Sequence, residues 1–259
     1  MCRFAASLGP DIALERFLLQ PRHSLVRQSY QPREMATALL NADGFGIGWY
    51  NPDGRPARYR NTLPIWADPN VPELARSLQR DLWLAYVRSA TDGFATGLSN
   101  TQPFVDDDLL FLHNGFVNGF AHGARPRLRQ WLRPDVEAGV HGNTDSEYLF
   151  AILRQLLWED DETSVEDALR GMSELMAEWA GGEQALLNLA VSDGRRVYAL
   201  RHALDAECPS LYYTTDDELF PGAQVLASEP LTEAGFWRPV PPHHLLILDP
   251  DEPPSLIPL

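Results

Sequence analysis

Cysteine is scarce in this sequence and lysine is absent. The 259 residues include only two cysteines, Cys2 and Cys208, and all 21 basic residues are arginine. Two cysteines do not form a disulfide framework, so we expect a reducing compartment and predict a cytoplasmic protein. The absence of lysine excludes catalysis through a Schiff-base lysine and phosphate binding through a P-loop lysine.

Long apolar runs and positive charge are also lacking. No stretch reaches the roughly 20 apolar residues of a membrane-spanning helix, and the first residues lack the layout of an export signal. With 21 basic and 36 acidic residues, the formal net charge is −15. Nucleic acids and anionic membranes bind cationic surfaces, so we expect neither as a partner. The basic run RPRLRQWLR at 125–133 is short and is interpreted as a solvated face.

Several well-known catalytic and binding motifs are missing. The histidines show neither an H-E-x-x-H pattern nor pairing with cysteine, so we expect no metal, and nothing indicates another cofactor. The G-x-S-x-G elbow of serine hydrolases does not occur. The glycines of GFGIG at 44–48 precede a β-turn rather than a helix. They therefore indicate close packing in a strand, not a nucleotide-binding loop.

The patterns that are present predict one domain of mixed structure. A chain of this length can bury a large core, and no linker or repeat divides it, so we assign residues 1–259 to one domain. Because strands, helices and again strands follow in blocks, the predicted fold class is α+β. Strands are predicted at 2–9, 83–91, 109–117, 210–216, 223–231 and 243–249, with hairpins at 44–61 and 187–201.

Helices and the C-terminal segment complete the predicted elements. One helix should begin after an N-cap at Thr144, with Glu147 three residues later, and another after Ser164. A weaker helical pattern covers residues 11–20. The proline-rich segment 249–259 is interpreted as a tail that lies on the surface.

Four features point to chemistry, although each also has an ordinary structural explanation. Asn114 and Gly115 follow an apolar run, where Asn-Gly is a strong hairpin signal but also supplies two donors for an oxyanion. Arg88, within an apolar strand, either faces solvent or binds a carboxylate. Asp145 either caps a helix or binds a substrate ammonium. Together with the thiol of Cys2, these groups are suited to hydrolysing a γ-glutamyl amide.

The order of these motifs resembles that of the class II glutamine amidotransferases, which are N-terminal-nucleophile hydrolases. The resemblance covers nearly the whole chain and is carried by Cys2, NADGFGIGWY at 41–50, VRSAT at 87–91, HNG at 113–115, TDSE at 144–147 and ASEPL at 227–231. The motifs QSYQPRE at 28–34 and NTLPIW at 61–66 are similar, more narrowly, to the stand-alone amidohydrolase of ergothioneine biosynthesis. That family removes glutamate from γ-glutamyl-hercynylcysteine sulfoxide.

The resemblance implies a four-layer αββα sandwich, in which two mostly antiparallel sheets lie between layers of helices. It also implies that Met1 is removed and that Cys2 then becomes the N-terminal nucleophile. Asn114 and Gly115 match the oxyanion hole of the family.

The resemblance likewise implies how the glutamate half of the substrate is held. Arg88 matches the residue that binds the α-carboxylate, with Thr91 beside it, and Asp145 matches the residue that binds the α-amino group. Tyr86 departs from the pattern, because many members of the class carry histidine two residues before this arginine. The local hydrogen bonding at Tyr86 is therefore not given by the resemblance.

The expected partner is a small γ-glutamyl molecule. The sequence leaves open whether the chain forms a homo-oligomer. The trimethylammonium of the ergothioneine precursor suits aromatic faces, so Tyr30, Trp49, Trp66 and Tyr86 are candidates for the amine half of the site, although a core position is the commoner role of each. Two alternative functions remain. One is a glutaminase subunit that supplies ammonia to a separate synthetase, and the other is a non-catalytic binding module on the same fold.

Overall fold

The computed structural model describes residues 1–34, 40–90, 96–215, 217–233 and 235–259. The strands of these residues are β1 (Arg3–Ala13), β2 (Phe45–Tyr50), β3 (Pro56–Asn61), β4 (Gln79–Val87), β5 (Phe104–Asp106), β6 (Leu109–Val117), β7 (Ala185–Ser192), β8 (Val197–Leu204), β9 (Tyr212–Thr214), β10 (Gln224–Ala227), β11 (Arg238–Pro239), β12 (His244–Asp249) and β13 (Glu252–Pro258). The helices are α1 (Leu14–Leu18), α2 (Leu25–Gln28), α3 (Val71–Ser77), α4 (Ala124–Trp131), α5 (Pro134–Ala138), α6 (Asp145–Glu159) and α7 (Val165–Ala180), with 3₁₀ turns at Ile65–Ala67 and Leu98–Asn100.

The described strands form two antiparallel sheets. The first has the order β11-β9-β10-β1-β4-β2-β3, and the second has the order β13-β12-β8-β7-β6-β5. In the first sheet, β1 lies between β4 and β10. In the second, β6 pairs with β7 without a break from Leu110 to Val117. The strand that follows Cys2 and the strand that contains Asn114 therefore belong to different sheets.

Three buried apolar clusters give the order of the layers. One joins Phe4 of β1 to Leu112 of β6 and fills the space between the sheets. A second packs Phe17 of α1 against the outer face of the first sheet. The third packs Leu149 of α6 and Met172 of α7 against the second sheet. The layers are thus helix, sheet, sheet and helix, and the predicted α+β fold with an αββα sandwich is confirmed.

Both predicted helix caps are present. The Thr144 hydroxyl accepts a hydrogen bond from the N–H of Glu147 at 3.3 Å, and the Ser164 hydroxyl accepts one from the N–H of Asp167 at 3.1 Å. The Glu147 carboxylate accepts hydrogen bonds from two N–H groups in the loop 141–142. It therefore fixes the loop before α6 as well as the first turn of that helix.

The helix predicted at 11–20 is wrong for its first part. Strand β1 continues to Ala13, where Ile12 and Ala13 pair with β4, and the helix that follows has only five residues. The register shifts between Leu8 and Ile12. This irregularity interrupts the alternation of β1, so the sequence does not show that the strand continues.

The C-terminal segment predicted at 249–259 lies on the surface as expected, but Glu252–Pro258 form a strand rather than a tail. Leu245 and Leu246 of β12 pair with Ile257 and Leu256 of β13. Strand β13 is at the edge of its sheet, where proline is tolerated because one side of the strand needs no N–H donors. The remaining predicted strands and both hairpins are confirmed, although β9 and β10 are shorter than predicted. In the described ranges, no helix is both long enough and apolar enough to cross a bilayer.

Candidate active site

Cys2 directly precedes β1, and its thiol faces the layer between the two sheets. Cys2 is 8% exposed. The Tyr86 hydroxyl donates a hydrogen bond to Sγ at 2.9 Å, and the N–H of Ser89 lies 3.4 Å from the same atom. The thiol itself donates a hydrogen bond to the carbonyl oxygen of Ser89 at 3.5 Å. Two donors from one end of β4 therefore converge on the sulfur.

Tyr86 is buried beside the charged groups of the site. Burial raises the pKa of its hydroxyl well above the usual value, and Cys2 and Asp145 raise it further, whereas Arg88 lowers it. Tyr86 is therefore protonated at neutral pH and is available as a donor.

Arg88 directly follows β4 and is buried. Its N–H donates to the carbonyl of Gly44 at 2.8 Å, and its carbonyl accepts from the N–H of Asp43 at 3.0 Å. The carboxylate of Asp43 accepts from the N–H of Ala90 at 2.8 Å. The loop before β2 therefore holds the backbone on both sides of Arg88.

Asn114 and Gly115 lie inside β6, so the hairpin-turn alternative is wrong. Leu110, Leu112 and Asn114 are two residues apart along β6 and therefore lie on the same face of the strand. Because Leu110 and Leu112 pack in the layer that contains Cys2, Asn114 faces that layer as well. Asn114 is 0% exposed, and within the described residues neither its Nδ2 nor its Oδ1 has a hydrogen-bond partner. An unpaired buried polar group destabilises a fold by about 1–3 kcal/mol, so this amide calls for a functional explanation.

Gly115 occupies a position that only glycine fits. A Cβ atom there would lie 1.8 Å from the carbonyl oxygen of Leu186 and 2.6 Å from Nε2 of His113. His113 is buried, which lowers its pKa, and its Nε2 and Nδ1 lie 2.8 Å from the Leu186 carbonyl and the Ser146 hydroxyl, respectively. Since a carbonyl can only accept, Nε2 carries the proton and Nδ1 accepts from Ser146.

Asp145 is the first residue of α6 and joins this helix to the end of β6. Its carboxylate accepts hydrogen bonds from the N–H groups of Val117 at 2.7 Å and Ser146 at 2.8 Å. The helix dipole also favours a negative charge at this position. The carboxylate thus links the start of α6 to the end of β6, the strand that contains Asn114. Thr91, the remaining predicted site residue, lies outside the described residues.

A buried ionic network behind Cys2 centres on Glu229. Both Glu229 and Arg3 have side chains that are 1% exposed, and Nε of Arg3 lies 2.8 Å from the Glu229 carboxylate. That carboxylate is also 2.7 Å from Nε2 of His23 and accepts from the backbone N–H groups of residues 33 and 34. Nη1 of Arg3 donates to the carbonyl of Cys2 at 2.8 Å. The network therefore fixes the residue that carries the thiol.

The pKa of Glu229 shows how strongly this network favours the charged form. Burial alone would raise that pKa, but hydrogen bonds from His23, the backbone and Arg3 lower it to about 2. This role of Glu229 is not evident from the motif ASEPL, although that motif carries part of the resemblance. The available signal was Arg3 in an otherwise apolar strand, because a buried arginine requires a partner.

The aromatic candidates for the amine half of the site separate into three groups. Tyr30 and Trp66 form an edge-to-face pair with ring centroids 5.7 Å apart, and they are 45% and 42% exposed. Trp49 packs on the outer face of the first sheet, away from Cys2, so the prediction is wrong for this residue. Tyr86 contacts the thiol itself. Tyr30 belongs to the segment 28–34, whose last residues are bound by Glu229.

Both Cys2 and Cys208 are free cysteines. In the ranges that the structure describes, no group of three or more histidine, cysteine, aspartate or glutamate residues could hold a metal ion.

Comparison with known proteins places this chain in a family. The family model for class-II glutamine amidotransferases matches residues 21–217. The chain belongs to the class II glutamine amidotransferases. It is 30% identical over 250 residues to the γ-glutamyl-hercynylcysteine sulfoxide hydrolase of Mycolicibacterium smegmatis, with 95% of each chain covered. It is 29% identical over 294 residues to a protein named "Probable glutamine amidotransferase" from Saccharomyces cerevisiae, covering 96% of this chain and 82% of the yeast protein.

Solved structures agree with the fold of a class II amidotransferase. A glutamine aminotransferase class-II domain protein from Silicibacter pomeroyi has a TM-score of 0.71 at 24% identity, covering 100% of this chain and 99% of its own. The glutamine phosphoribosylpyrophosphate amidotransferase of B. subtilis has a TM-score of 0.63 at 18% identity, covering 98% of this chain and 48% of its own. The match to the family model and the similarity to a named hydrolase confirm the predicted family, and this class II amidotransferase is an amidohydrolase.

Proposed function

We propose that this protein hydrolyses a γ-glutamyl amide through Cys2 after removal of Met1. The observation that carries the proposal is the buried amide of Asn114, which is unpaired among the described residues and faces the layer that holds the thiol. A donor of this kind is suited to an oxyanion that forms only when the carbonyl is attacked. Membership of the class II amidotransferases supports a γ-glutamyl substrate.

The reaction begins with the amine that removal of Met1 exposes. This α-amine of Cys2 titrates at about pH 8 and accepts the thiol proton, directly or through water. The thiolate attacks the γ-carbonyl, and the Asn114 side chain and the Gly115 N–H stabilise the oxyanion. Loss of one such donor typically raises the barrier by about 2.7–4 kcal/mol. The amine product leaves with a proton from the terminal ammonium, and water then hydrolyses the thioester to release glutamate.

Two buried charges hold the glutamate half of the substrate in this proposal. The Arg88 guanidinium binds the α-carboxylate, because its fork matches two oxygens. The Asp145 carboxylate binds the α-ammonium. Both charges act on the pKa of Tyr86, which supports a location beside the thiol. Thr91 is assigned beside Arg88 by the family resemblance alone.

The leaving amine is proposed to be hercynylcysteine sulfoxide, in a cytoplasmic step of ergothioneine biosynthesis. The support is the identity of 30% and 31% to two mycobacterial hydrolases of γ-glutamyl-hercynylcysteine sulfoxide. The exposed pair of Tyr30 and Trp66 adds to this, because an aromatic face attracts a methylated ammonium by about 0.5–1 kcal/mol at an exposed site. The net charge of −15 also favours a cationic group on the substrate.

Glutamate release tests the proposal directly. Purified protein is assayed with glutamine, γ-glutamylcysteine and γ-glutamyl-hercynylcysteine sulfoxide, and we expect the last to give the highest kcat/KM. Cys2→Ala should abolish turnover without changing the unfolding midpoint, whereas the matched control Cys208→Ala should be active. Normal turnover by Cys2→Ala, or retention of Met1 in active protein by intact mass, would contradict the proposal.

The same assay separates the alternative functions. A preference for glutamine, increased by an added synthetase, would favour the ammonia-supplying subunit, in line with the yeast relative named as a glutamine amidotransferase. Binding of a γ-glutamyl ligand without any release of glutamate would favour the non-catalytic module.

A further inference from the structure

We infer that Tyr86 is a catalytic residue whose hydroxyl stabilises the Cys2 thiolate before it attacks the substrate. This inference rests on the proposed role of Cys2 as nucleophile and adds a group that is neither the proton acceptor nor an oxyanion donor. The hydroxyl is 2.9 Å from Sγ, whereas the N–H of Ser89 is 3.4 Å from it. Tyr86 is therefore the nearer of the two donors to the reacting atom.

The fold fixes Tyr86 from both sides. It pairs with Phe4 of β1 and with Gly46 of β2. A Cβ at Gly46 would lie 1.9 Å from the carbonyl oxygen of Gln102, so the backbone of another segment closes tightly over β2 beside Tyr86. The tyrosine ring is buried among the residues between the sheets. The hydroxyl thus has little freedom to leave the sulfur, and the interaction is preorganised.

The chemistry of the contact assigns Tyr86 as a donor and not as the base. Burial raises its pKa, so the phenol keeps its proton while the thiol ionises. The S–H bond breaks and an N–H bond forms on the α-amine of Cys2, while the O–H bond of Tyr86 stays intact. A hydrogen bond to a charged acceptor is about twice as strong as one between neutral groups, so the contact strengthens as the sulfur becomes anionic.

The negative charge then moves across the layer between the sheets. When the new S–C bond forms, the carbonyl π electrons move to oxygen, and the charge passes from Sγ to the oxyanion. Tyr86, in the first sheet, stabilises the charge before this step. Asn114, in the second sheet, stabilises it afterwards. The two donors therefore act in sequence.

A donor of this kind has a characteristic dependence on pH. It increases the fraction of thiolate but makes each thiolate less nucleophilic, with a Brønsted coefficient of about 0.4–0.5. Removing it should therefore slow Cys2 at low pH and should not slow it where the thiol is fully ionised. A tyrosine that only supports packing would instead change the reaction equally at every pH, or change stability alone.

The test is the rate of Cys2 alkylation by iodoacetamide, followed by peptide mass spectrometry from about pH 5.5 to about pH 10 on protein shown to lack Met1. For Tyr86→Phe we expect the half-maximal pH to rise by about one unit, with alkylation about three- to fourfold slower near pH 6 and a plateau about threefold higher. The acidic limb of kcat/KM for glutamate release should move by the same amount.

Tyr50→Phe is the matched control. Tyr50 is buried in the same layer, but its hydroxyl contacts the carbonyl oxygens of Asp108 and Ser192 at 2.8 and 2.7 Å, away from the thiol. This variant should unfold more easily without moving the alkylation profile. A folded Tyr86→Phe protein with the profile of the wild type would overturn the inference and leave the nucleophile assignment in place. Normal glutamate release by Cys2→Ala would instead overturn the proposed function.

A second substitution protects the test if Tyr86→Phe does not fold. Incorporating 3,5-difluorotyrosine at position 86 keeps the shape of the side chain and makes the phenol a stronger donor. The half-maximal pH of alkylation should then fall. An unchanged midpoint in this folded protein would also overturn the inference.

Discussion

Replacing Glu229 with glutamine should destabilise the protein strongly while keeping the shape of the side chain. The carboxylate is buried against the Nε of Arg3 at 2.8 Å, and both side chains are 1% exposed. In Glu229→Gln, the guanidinium of Arg3 would stay buried without a counter-charge. Breaking a buried ion pair in this way typically destabilises a protein by about 3–5 kcal/mol.

The pKa of Glu229 gives a second route to this magnitude and predicts its dependence on pH. The pKa is about 2 in the folded protein, against an ordinary value of 4.5. A difference of about 2.5 units corresponds to about 3 kcal/mol. Because the folded pKa is depressed, this stability is present above about pH 4.5 and is lost as the pH falls toward 2. The difference between wild type and Glu229→Gln should therefore shrink over that range.

Urea unfolding followed by tryptophan fluorescence, at about pH 7 and at several values below about pH 4.5, measures this difference. The control is Glu166→Gln in α7, whose pair with Arg170 is 30% exposed on both sides and should contribute less than about 0.5 kcal/mol. A loss below about 1 kcal/mol for Glu229→Gln at neutral pH, or a loss that does not change with pH, would refute the reasoning.

Three further substitutions test the site. Asn114→Leu should lower kcat by about 100- to 1000-fold without loss of stability in urea, because its buried amide has no partner among the described residues. Its control is Asn188→Leu, which removes hydrogen bonds to two carbonyls and should therefore destabilise the protein. Gly115→Ala should lower the unfolding midpoint and abolish glutamate release, because its methyl would lie 1.8 Å from a carbonyl of β7. The control is Gly235→Ala, whose methyl would enter open space and should change neither the unfolding midpoint nor glutamate release. Trp66→Leu should raise the KM for the trimethylammonium substrate about two- to fivefold and leave γ-glutamylcysteine hydrolysis unchanged.

Each of these substitutions has an outcome that would contradict its reason. A fully active Asn114→Leu protein would remove the oxyanion role of that amide. A Gly115→Ala protein as stable as Gly235→Ala would show that β6 can move away from β7. Equal changes for both substrates in Trp66→Leu would leave that tryptophan without a role in recognising the amine.

The parts of the fold that could be predicted from the sequence are those with local causes. The hydroxyl groups of Thr144 and Ser164 stand at the helix starts because they accept from backbone N–H groups three residues later. Asn114 was ambiguous, since Asn-Gly favours a turn when it stands alone. Only the pairing of β6 with β7 makes it part of a strand, and that pairing joins distant segments.

The parts that could not be predicted depend on contacts between distant residues. Arg3 and Glu229 are 226 positions apart, and nothing in either motif indicates that they meet. The hydrogen bond from Tyr86 to the Cys2 thiol also joins residues that are distant in the sequence, 84 positions apart. The sequence shows only that tyrosine occupies a position where many family members carry histidine, and the distance to Sγ comes from the pairing of β4 with β1.

The site is divided between the two sheets, and this division explains why it requires a packed layer between them. Tyr86 belongs to the first sheet and Cys2 directly precedes its strand β1, whereas Asn114 belongs to the second sheet. In the proposed reaction, a substrate carbonyl lies between the sheets to reach both groups, so the separation of the sheets would set the distance from the proposed nucleophile to the proposed oxyanion donor. Phe4 and Leu112 pack between the sheets and help to set that distance. In this proposal, the same apolar packing that stabilises the sandwich also aligns the reacting groups.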